Sequence, residues 1–422
     1  MAWTTRCYLT FGLLVLTVAC GDWDRPEPLA QDDPPTGQAG VVVIETSPDS
    51  IPEWTVGDRI TRAEVGEDSP GSAPYLVSVR DGKWRSDGSF VVLDGQTNLH
   101  LFNADGTFST ELGRLGEGPG EFVSIGSLSV GSGDTIYVYD DQRHVVNIFG
   151  LDGEFVRSQR IAMPDGTLGR AQVLKIDGGW IHLASDLEGV DLAETLRAMR
   201  PGDVQTLNST AVVSRLNEDG ESVGAVRFSG ASETLTGELS IRRPLAGAPL
   251  VATRGKAIVY ASAKVAEFHQ SDHHLSPVRR VEWPKADAPY PEAELDSIIA
   301  LAESYVPDPR MIDLMFTGLA RPSIRPFAQR IRVDLSCRIW VSRFEPILQN
   351  RPEREWIIFE TDGQPAGSLK DIEGSVTILD ARGNQVLITR IDPTEGIPLV
   401  EVRELVGAEV RSDKESETCR WT

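Results

Sequence analysis

The chain has 422 residues, 40% apolar and 25% charged, with 63 acidic against 41 basic side chains and a formal net charge of -22. That composition is the composition of a folded protein and excludes global disorder. It also excludes a nucleic-acid binder, which needs a basic face, while an acidic exterior keeps a protein soluble and repels anionic partners.

Residues 1-19 read as a targeting signal. Arg6 supplies a positive start, and Leu9 to Val18 is an apolar run too short for a permanent membrane span. The run ends Thr17-Val18-Ala19-Cys20. This resembles the lipobox of bacterial lipoproteins, in which a peptidase cuts before the cysteine and the thiol carries diacylglycerol. Thr17 departs from the pattern, since leucine is commoner there, and Leu16 sits one place early. Cys20 is therefore the expected lipidation site. Gly21 and Asp22 follow it without the usual inner-membrane retention signal, so the expected location is the bacterial envelope, at the periplasmic side or the outer membrane. Cys7 leaves with the signal. Cys337 and Cys419 remain as a possible disulfide in an oxidising compartment, tying the C-terminal tail to the body.

Residues 20-50 read as a flexible tether, kept extended by Pro26, Pro28, Pro34 and Pro35, with Val41 to Ile44 as an apolar island able to lie against the domain. A repeat then begins. Phe90 to Asp94 and Asn98 to Phe102 are strands, followed by Asp105-Gly106 and a third strand from Phe108. The next copy runs Thr135 to Asp140, Val145 to Phe149, Asp152-Gly153 and Glu154 to Val156. Asp-Gly between apolar runs signals a hairpin. Phe102 and Phe149 lie 47 positions apart, about the length of a four-stranded propeller blade.

Later copies are visible at Val212 to Leu216, Val265 to Phe268, Ile357 to Phe359 and Leu399 to Leu405. The third strands near 102, 149, 216, 268, 359 and 402 count six blades, and the last copy has no fourth strand after it. Trp54 to Val65 reads like Phe108 to Leu115, and Gly66 to Gly71 echoes Gly116 to Gly120. The N-terminal strand is therefore expected to close the ring, removing two open sheet edges. The fold class is all-β: a six-bladed β-propeller over 51-411, closed by an N-terminal strand, with a tail over 412-422. Insertions fall at 186-210, where Leu192 to Met199 is helix-like, and at 291-319, where Leu295, Ile298, Ile299 and Ala302 keep helical spacing between Pro291 and Pro307. A second short helix is expected from Met311 to Leu319.

Ser127 to Phe149 resembles an NHL-type repeat, with Asp134 to Val138 before a polar corner at Asp140-Asp141. The junction Gly113 to Phe122, GRLGEGPGEF, is similar to that of the six-bladed β-propeller lipoproteins of Bacteroidetes and related bacteria. Arg330 to Asp334 and Arg338 to Val341 fit the same pattern, with Cys337 where glycine is usual. The resemblance covers roughly residues 54-405 and implies a closed six-bladed propeller on a lipid-anchored tether. It implies no particular chemistry.

His269, His273 and His274 with Asp272 are the clustered metal-type residues, but 273 and 274 occupy a hairpin turn from which adjacent side chains are expected to point apart. Calcium in the central channel would need oxygen donors converging from several blades. Asp94, Asp140 and Asp334, at strand ends, are the candidates, and their repeat position instead assigns them to turn capping. The sequence thus assigns no cofactor and no metal ligand. No Gly-x-Ser-x-Gly nucleophile motif is present. Gly116, Gly118 and Gly120 read as tight turns and not as a phosphate cradle, since no helix follows, and Arg114, Glu117 and Glu121 read as solvated loop charges.

The expected function is a binding or scaffold module, held to the membrane by its lipid, with a protein or small molecule at a propeller face and no nucleic acid. The alternative is a metal-dependent propeller hydrolase or lyase with its site in the channel. Cys20→Ala should abolish fatty-acid labelling of the protein in cells; a variant that still labels would refute the lipobox.

Overall fold

The computed structural model describes residues 39-66, 73-162, 167-186, 192-200, 203-236, 240-242, 247-262, 264-286, 292-305, 309-312, 325-344, 355-370, 376-408 and 419-421. All lie in one compact unit, Gly37-Thr422. The signal, Cys20 and most of the expected tether fall outside the described residues, as do 67-72 of the expected glycine echo and 313-319 of the expected second helix.

Six antiparallel blades follow one another along the chain, the last two joined by Glu53–Arg62 into one eight-stranded sheet. Blade 1 is Val79–Trp84, Phe90–Asp94, Asn98–Phe102 and Phe108–Glu111. Blade 2 is Ile125–Val130, Ile136–Asp140, Val145–Phe149 and Phe155–Arg160. Blade 3 is Thr167–Ile176, Gly179–Asp186, Val204–Leu216 and Ser222–Thr236, with Ser240–Arg242 added outside. Blade 4 is Leu250–Arg254, Ala257–Ala261, Glu267–Ser271 and Pro277–Glu282. Blade 5 is Ala328–Val333, Ile339–Arg343, Trp356–Phe359 and Pro365–Leu369. Blade 6 has three strands of its own, Thr377–Arg382, Gln385–Ile391 and Pro398–Val406. The chain is an all-β, six-bladed propeller.

The second strands explain why the repeat is so legible. Phe90–Asp94 and Ala257–Ala261 are buried along their whole length, because both faces of each sheet pack on a neighbouring blade. Such strands read as continuous apolar runs where a half-exposed strand would alternate. The apolar side chains fall into six clusters, one per blade interface. The cluster joining last blade to first sets Leu379, Leu387, Val400 and Val402 against Trp84, Phe90, Val92 and Phe102.

Closure comes from Glu53–Arg62, the missing outer strand of blade 6. It pairs antiparallel with Pro398–Val406 from Thr55↔Val406 to Arg62↔Glu401. Its first two residues pair parallel with Ser368 and Leu369 of blade 5, so one strand joins two blades. Trp54, 4% exposed, packs edge-on against Trp340. The ring lies so close to Gly367 that any β-carbon there would overlap it. Across the same seam the buried Glu401 carboxylate bonds Arg390 at 2.9 Å and Arg403 at 2.8 Å, with Arg59 of the closing strand at 3.7 Å. Burial alone would raise this carboxyl, but Arg390 and Arg403 hold it below its ordinary range.

The chain joins the body earlier than the tether boundary at residue 50 suggests. Gly40–Val43 adds a parallel fifth strand to blade 4, from Gly40↔Arg279 to Val43↔Glu282, and Ile44 is 2% exposed. The far end is fixed as well. Cys337 and Cys419 form a disulfide with Cα atoms 5.4 Å apart. The Trp421 indole donates to the Ile258 carbonyl at 3.1 Å, so the strap links blades 5 and 4. Cys337 has φ 63° at a hairpin position where Gly88 of blade 1 has φ 89°; the bridge therefore explains a side chain where repeat geometry favours glycine. Closing an 82-residue separation stabilises by about 4 kcal/mol in the chain-entropy picture.

Turns between strands 1-2 and 3-4 of every blade lie on one face, here the hairpin face. The 2-3 turns and blade-to-blade links lie on the other, the connection face. The helices Leu192–Ala198, Glu292–Tyr305 and Pro309–Ile312 all interrupt connection-face links. In the longest of them Leu295, Ile298 and Ala302 are buried, as their spacing requires. The blade 3 insertion differs from the sequence reading: residues 204-210, expected as loop, extend the third strand, and Val204–Thr236 forms a long paired ribbon.

Trp54→Ala should lower unfolding stability by roughly 3–5 kcal/mol, the range for truncating a buried aromatic residue, read from urea denaturation. An unchanged midpoint would show that the closing strand does not hold the ring.

Candidate binding site in the central channel

The inner strands of all six blades line one cavity of about 470 Å³. Each inner strand pairs with its blade on one side only, so its other edge and the side chains nearest the axis face this space. In a chain of net charge -22, the lining is basic. Arg80, Lys83, Lys175, Arg254, Arg330 and Arg332 contribute six cations, and Asp81 is the carboxylate among the lining residues. Ser127, Gln172, Thr253 and Gln329 add neutral polar groups.

The charges are arranged across the axis. Arg332 of blade 5 reaches Asp81 of blade 1 at 2.9 Å, and Lys83 lies 3.6 Å from the same Asp81 oxygen. Arg254 of blade 4 extends toward Asp380 of blade 6 at 3.7 Å. Asp380 itself is fixed by the Trp84 and Ala381 amides, each at 3.0 Å. Lys175 turns aside to Glu218 at 2.8 Å, and Arg80 donates to the Gly95 carbonyl at 3.2 Å. Among the described lining residues, six cations surround the one carboxylate Asp81, with Asp380 and Glu218 engaging two of them from outside the lining. Burial would raise the Asp81 carboxyl, but Lys83 and Arg332 hold it below its ordinary range. Burial pushes the Lys83 ammonium down, with Arg332 and Arg254 adding to the effect against Asp81 and Asp380.

The carboxylates weighed from sequence as channel candidates, Asp94, Asp140 and Asp334, stand outside the lining. Asp94 accepts from the Val77 and Ser78 amides at 3.0 and 2.5 Å, holding the chain that enters blade 1. Asp140 accepts from Val123 at 2.7 Å in the same way, and from Gln142 and Arg143 at its own turn. Asp334 sits on the hairpin face and accepts from the Ser336 and Arg338 amides and the Trp340 indole, each at 2.8 Å. Burial pushes its carboxyl up to about 7 against those donors. Two lie on one face and the third on the other, each spent on backbone capping, so the three do not converge. Among the described residues no three His, Cys, Asp or Glu side chains gather as a metal site.

The histidines also separate. His269 stacks on Tyr260 and bonds Glu267 at 2.8 Å. His273 and His274 occupy the hairpin turn, yet their rings lie 3.9 Å apart, so the expectation that they point apart is corrected. The Gly113 to Phe122 stretch is a knitted joint. Arg114–Leu115 pairs parallel with Glu121–Phe122, and any β-carbon at Gly113 would overlap the Gly120 carbonyl. Glu121 is not merely solvated: it accepts from the Gly118 amide at 2.8 Å and from Arg114 at 2.7 Å.

Comparison with known proteins agrees with the sheet order. Residues 77–177 match the family DUF5128, described as a 6-bladed beta-propeller. No curated protein matches the chain. Solved structures that resemble it include an exported protein of Bacteroides fragilis, at 11% identity over 87% of this chain and 99% of that one, TM-score 0.44. A member of the duf4221 family from Bacteroides vulgatus gives 9% identity, 84% and 97% coverage and TM-score 0.45. A gluconolactonase of Xanthomonas campestris gives 14%, 85% and 99%, with TM-score 0.35. The blade count here rests on the topology of this chain.

A buried histidine beyond the channel lining carries a pH dependence of its own. His182, in the second strand of blade 3, is fully buried with neither ring nitrogen hydrogen-bonded. Burial, with His144 adding to it, pushes its pKa down to about 4. The folded state therefore holds it neutral while the unfolded chain takes up a proton below about 6.5. Stability should fall as pH drops from about 6.5 to 4, by up to about 3 kcal/mol. Urea midpoints across that range for wild type and His182→Gln should diverge by this amount; parallel curves would show that His182 is not held neutral.

Proposed function

We propose that this chain is a lipid-anchored protein of the bacterial envelope, and that its propeller binds a small anionic ligand in the central channel. The observation that carries the reading is the reversal of charge between the whole chain and its axis. Six cations on the inner strands face a space walled by apolar blade interfaces, where fields are weakly screened and focused along the cavity. A cavity of this size is that of a small-molecule site. The acidic remainder of the chain repels large polyanions, which favours a compact ligand over a nucleic acid or an anionic surface. The lipobox at Cys20 and the paired cysteines support placement outside the cytoplasm.

The metal-dependent hydrolase or lyase is the less supported reading. A divalent cation in the channel would stand among guanidinium groups, and the lining carboxylate Asp81 is already engaged by Arg332 and Lys83. Hard cations need several converging oxygens, and among the described lining residues Asp81 is the one carboxylate.

Equilibrium dialysis of the purified protein against a panel of small organic acids, phosphate esters and size-matched neutral compounds should retain anions only. Their affinity should weaken as salt rises. Binding that favours neutral compounds, or ignores salt, would overturn the anion reading.

A further inference from the structure

Arg254 is the channel residue whose chemistry is least complete. Its side chain is 9% exposed, and its Nε and Nη2 donate no hydrogen bond. Its ion-pair partner is Asp380, whose carboxylate oxygen stands 3.7 Å from Nη2, an ionic contact beyond hydrogen-bond reach. Asp380 cannot simply move closer, because the Trp84 and Ala381 amides hold both its oxygens. Buried donors without acceptors are rare in folded proteins and call for a partner. Nε and Nη2 of one guanidinium form the fork that fits two oxygens of a carboxylate or phosphate.

The surroundings favour the same partner. Arg254 ends the inner strand of blade 4, and Lys83 and Arg332 are each the penultimate residue of their inner strands. All three cations therefore lie toward the hairpin end of the channel. Asp81 and Asp380 are the carboxylates that pair with them there. Toward the connection face the lining mixes Arg80 and Arg330 with the neutral polar side chains of Ser127, Gln172 and Gln329.

We infer that the hairpin end of the channel is a binding subsite for one oxyanion group, a carboxylate or a phosphate, with Arg254 as its bidentate donor. The ligand is then a small polar molecule that enters oxyanion first, its neutral polar part resting against the serine and glutamine side chains. Asp380 acts as an internal competitor that neutralises Arg254 when the subsite is empty. This assignment rests on the reading of the channel as an anion site.

The test uses full-length protein in detergent, with inorganic phosphate and acetate as separate probes followed by calorimetry and thermal shift. Wild type should bind at least one probe, and the probe that binds more tightly identifies the class of oxyanion. Arg254→Gln should weaken binding at least tenfold. Arg254→Lys should weaken it less, keeping the charge but losing the fork. Asp380→Asn should tighten binding, an outcome that general damage to the fold would not produce. If phosphate and acetate bind but neither Arg254 variant changes their affinity, while Arg330→Gln weakens it, the subsite assignment is overturned and the anion channel stands. If neither probe nor any anion of the dialysis panel binds wild type, both readings fail.

Discussion

A propeller is a sheet arrangement in which no blade is stable by itself, because each needs a neighbour on both faces. The constraint that governs this chain is therefore closure. Glu53–Arg62 is made at the start of the sequence and placed beside strands made at its end, so the last blade is completed only when the whole ring exists. Trp54 sits where this strand passes from blade 5 to blade 6, and Glu401 gathers arginines along the same seam. Loss of the closing strand would expose a row of unpaired backbone groups and open the apolar interface between blades 6 and 1.

The same geometry produces the channel. Antiparallel blades set radially leave the innermost strands with one free edge each, and six such edges enclose a space whose lining is contributed in small shares by every repeat. Charge can thus be concentrated at the axis without any charged stretch in the sequence. Ion pairs that reach across the axis, such as Arg332 with Asp81, join blades that are not neighbours. They give the hairpin end of the channel a defined set of charges instead of a loose collection of long side chains.

Much of the architecture was legible because it depends on local signals. Asp-Gly hairpins and second strands with a continuous apolar run, such as Phe90 to Leu93 of Phe90–Asp94, announce themselves within a few residues. The channel was not legible. Its cations are spread from Arg80 to Arg332, and the strand Val79–Trp84, sequence VRDGKW, looks like polar loop. Only topology brings Arg254 and Asp380 together. Asp94, Asp140 and Asp334 were weighed as channel ligands, and their repeat position assigned them to turn capping instead. A carboxylate at a strand end has backbone amides within reach first, and here those amides take it. Val41 to Ile44 stood out as an apolar island, but its pairing as a strand was not legible, because four residues after a proline-rich run carry too little pattern to signal one.

That small strand has a mechanical meaning. Between Gly40–Val43 on blade 4 and Trp54 at the closing seam, the chain is fastened along the outside of the ring: the Trp283 indole holds the Thr46 carbonyl at 2.7 Å, Lys370 meets Asp49 at 3.7 Å, and the Ser368 amide holds the Pro52 carbonyl at 2.9 Å. Tension applied from the N-terminal side must strip these attachments in order, starting with the four-residue parallel pairing, before any load reaches the strand that closes the propeller. The N-terminal segment thus works as a strain relief, letting a protein pulled at its N-terminus keep its ring shut.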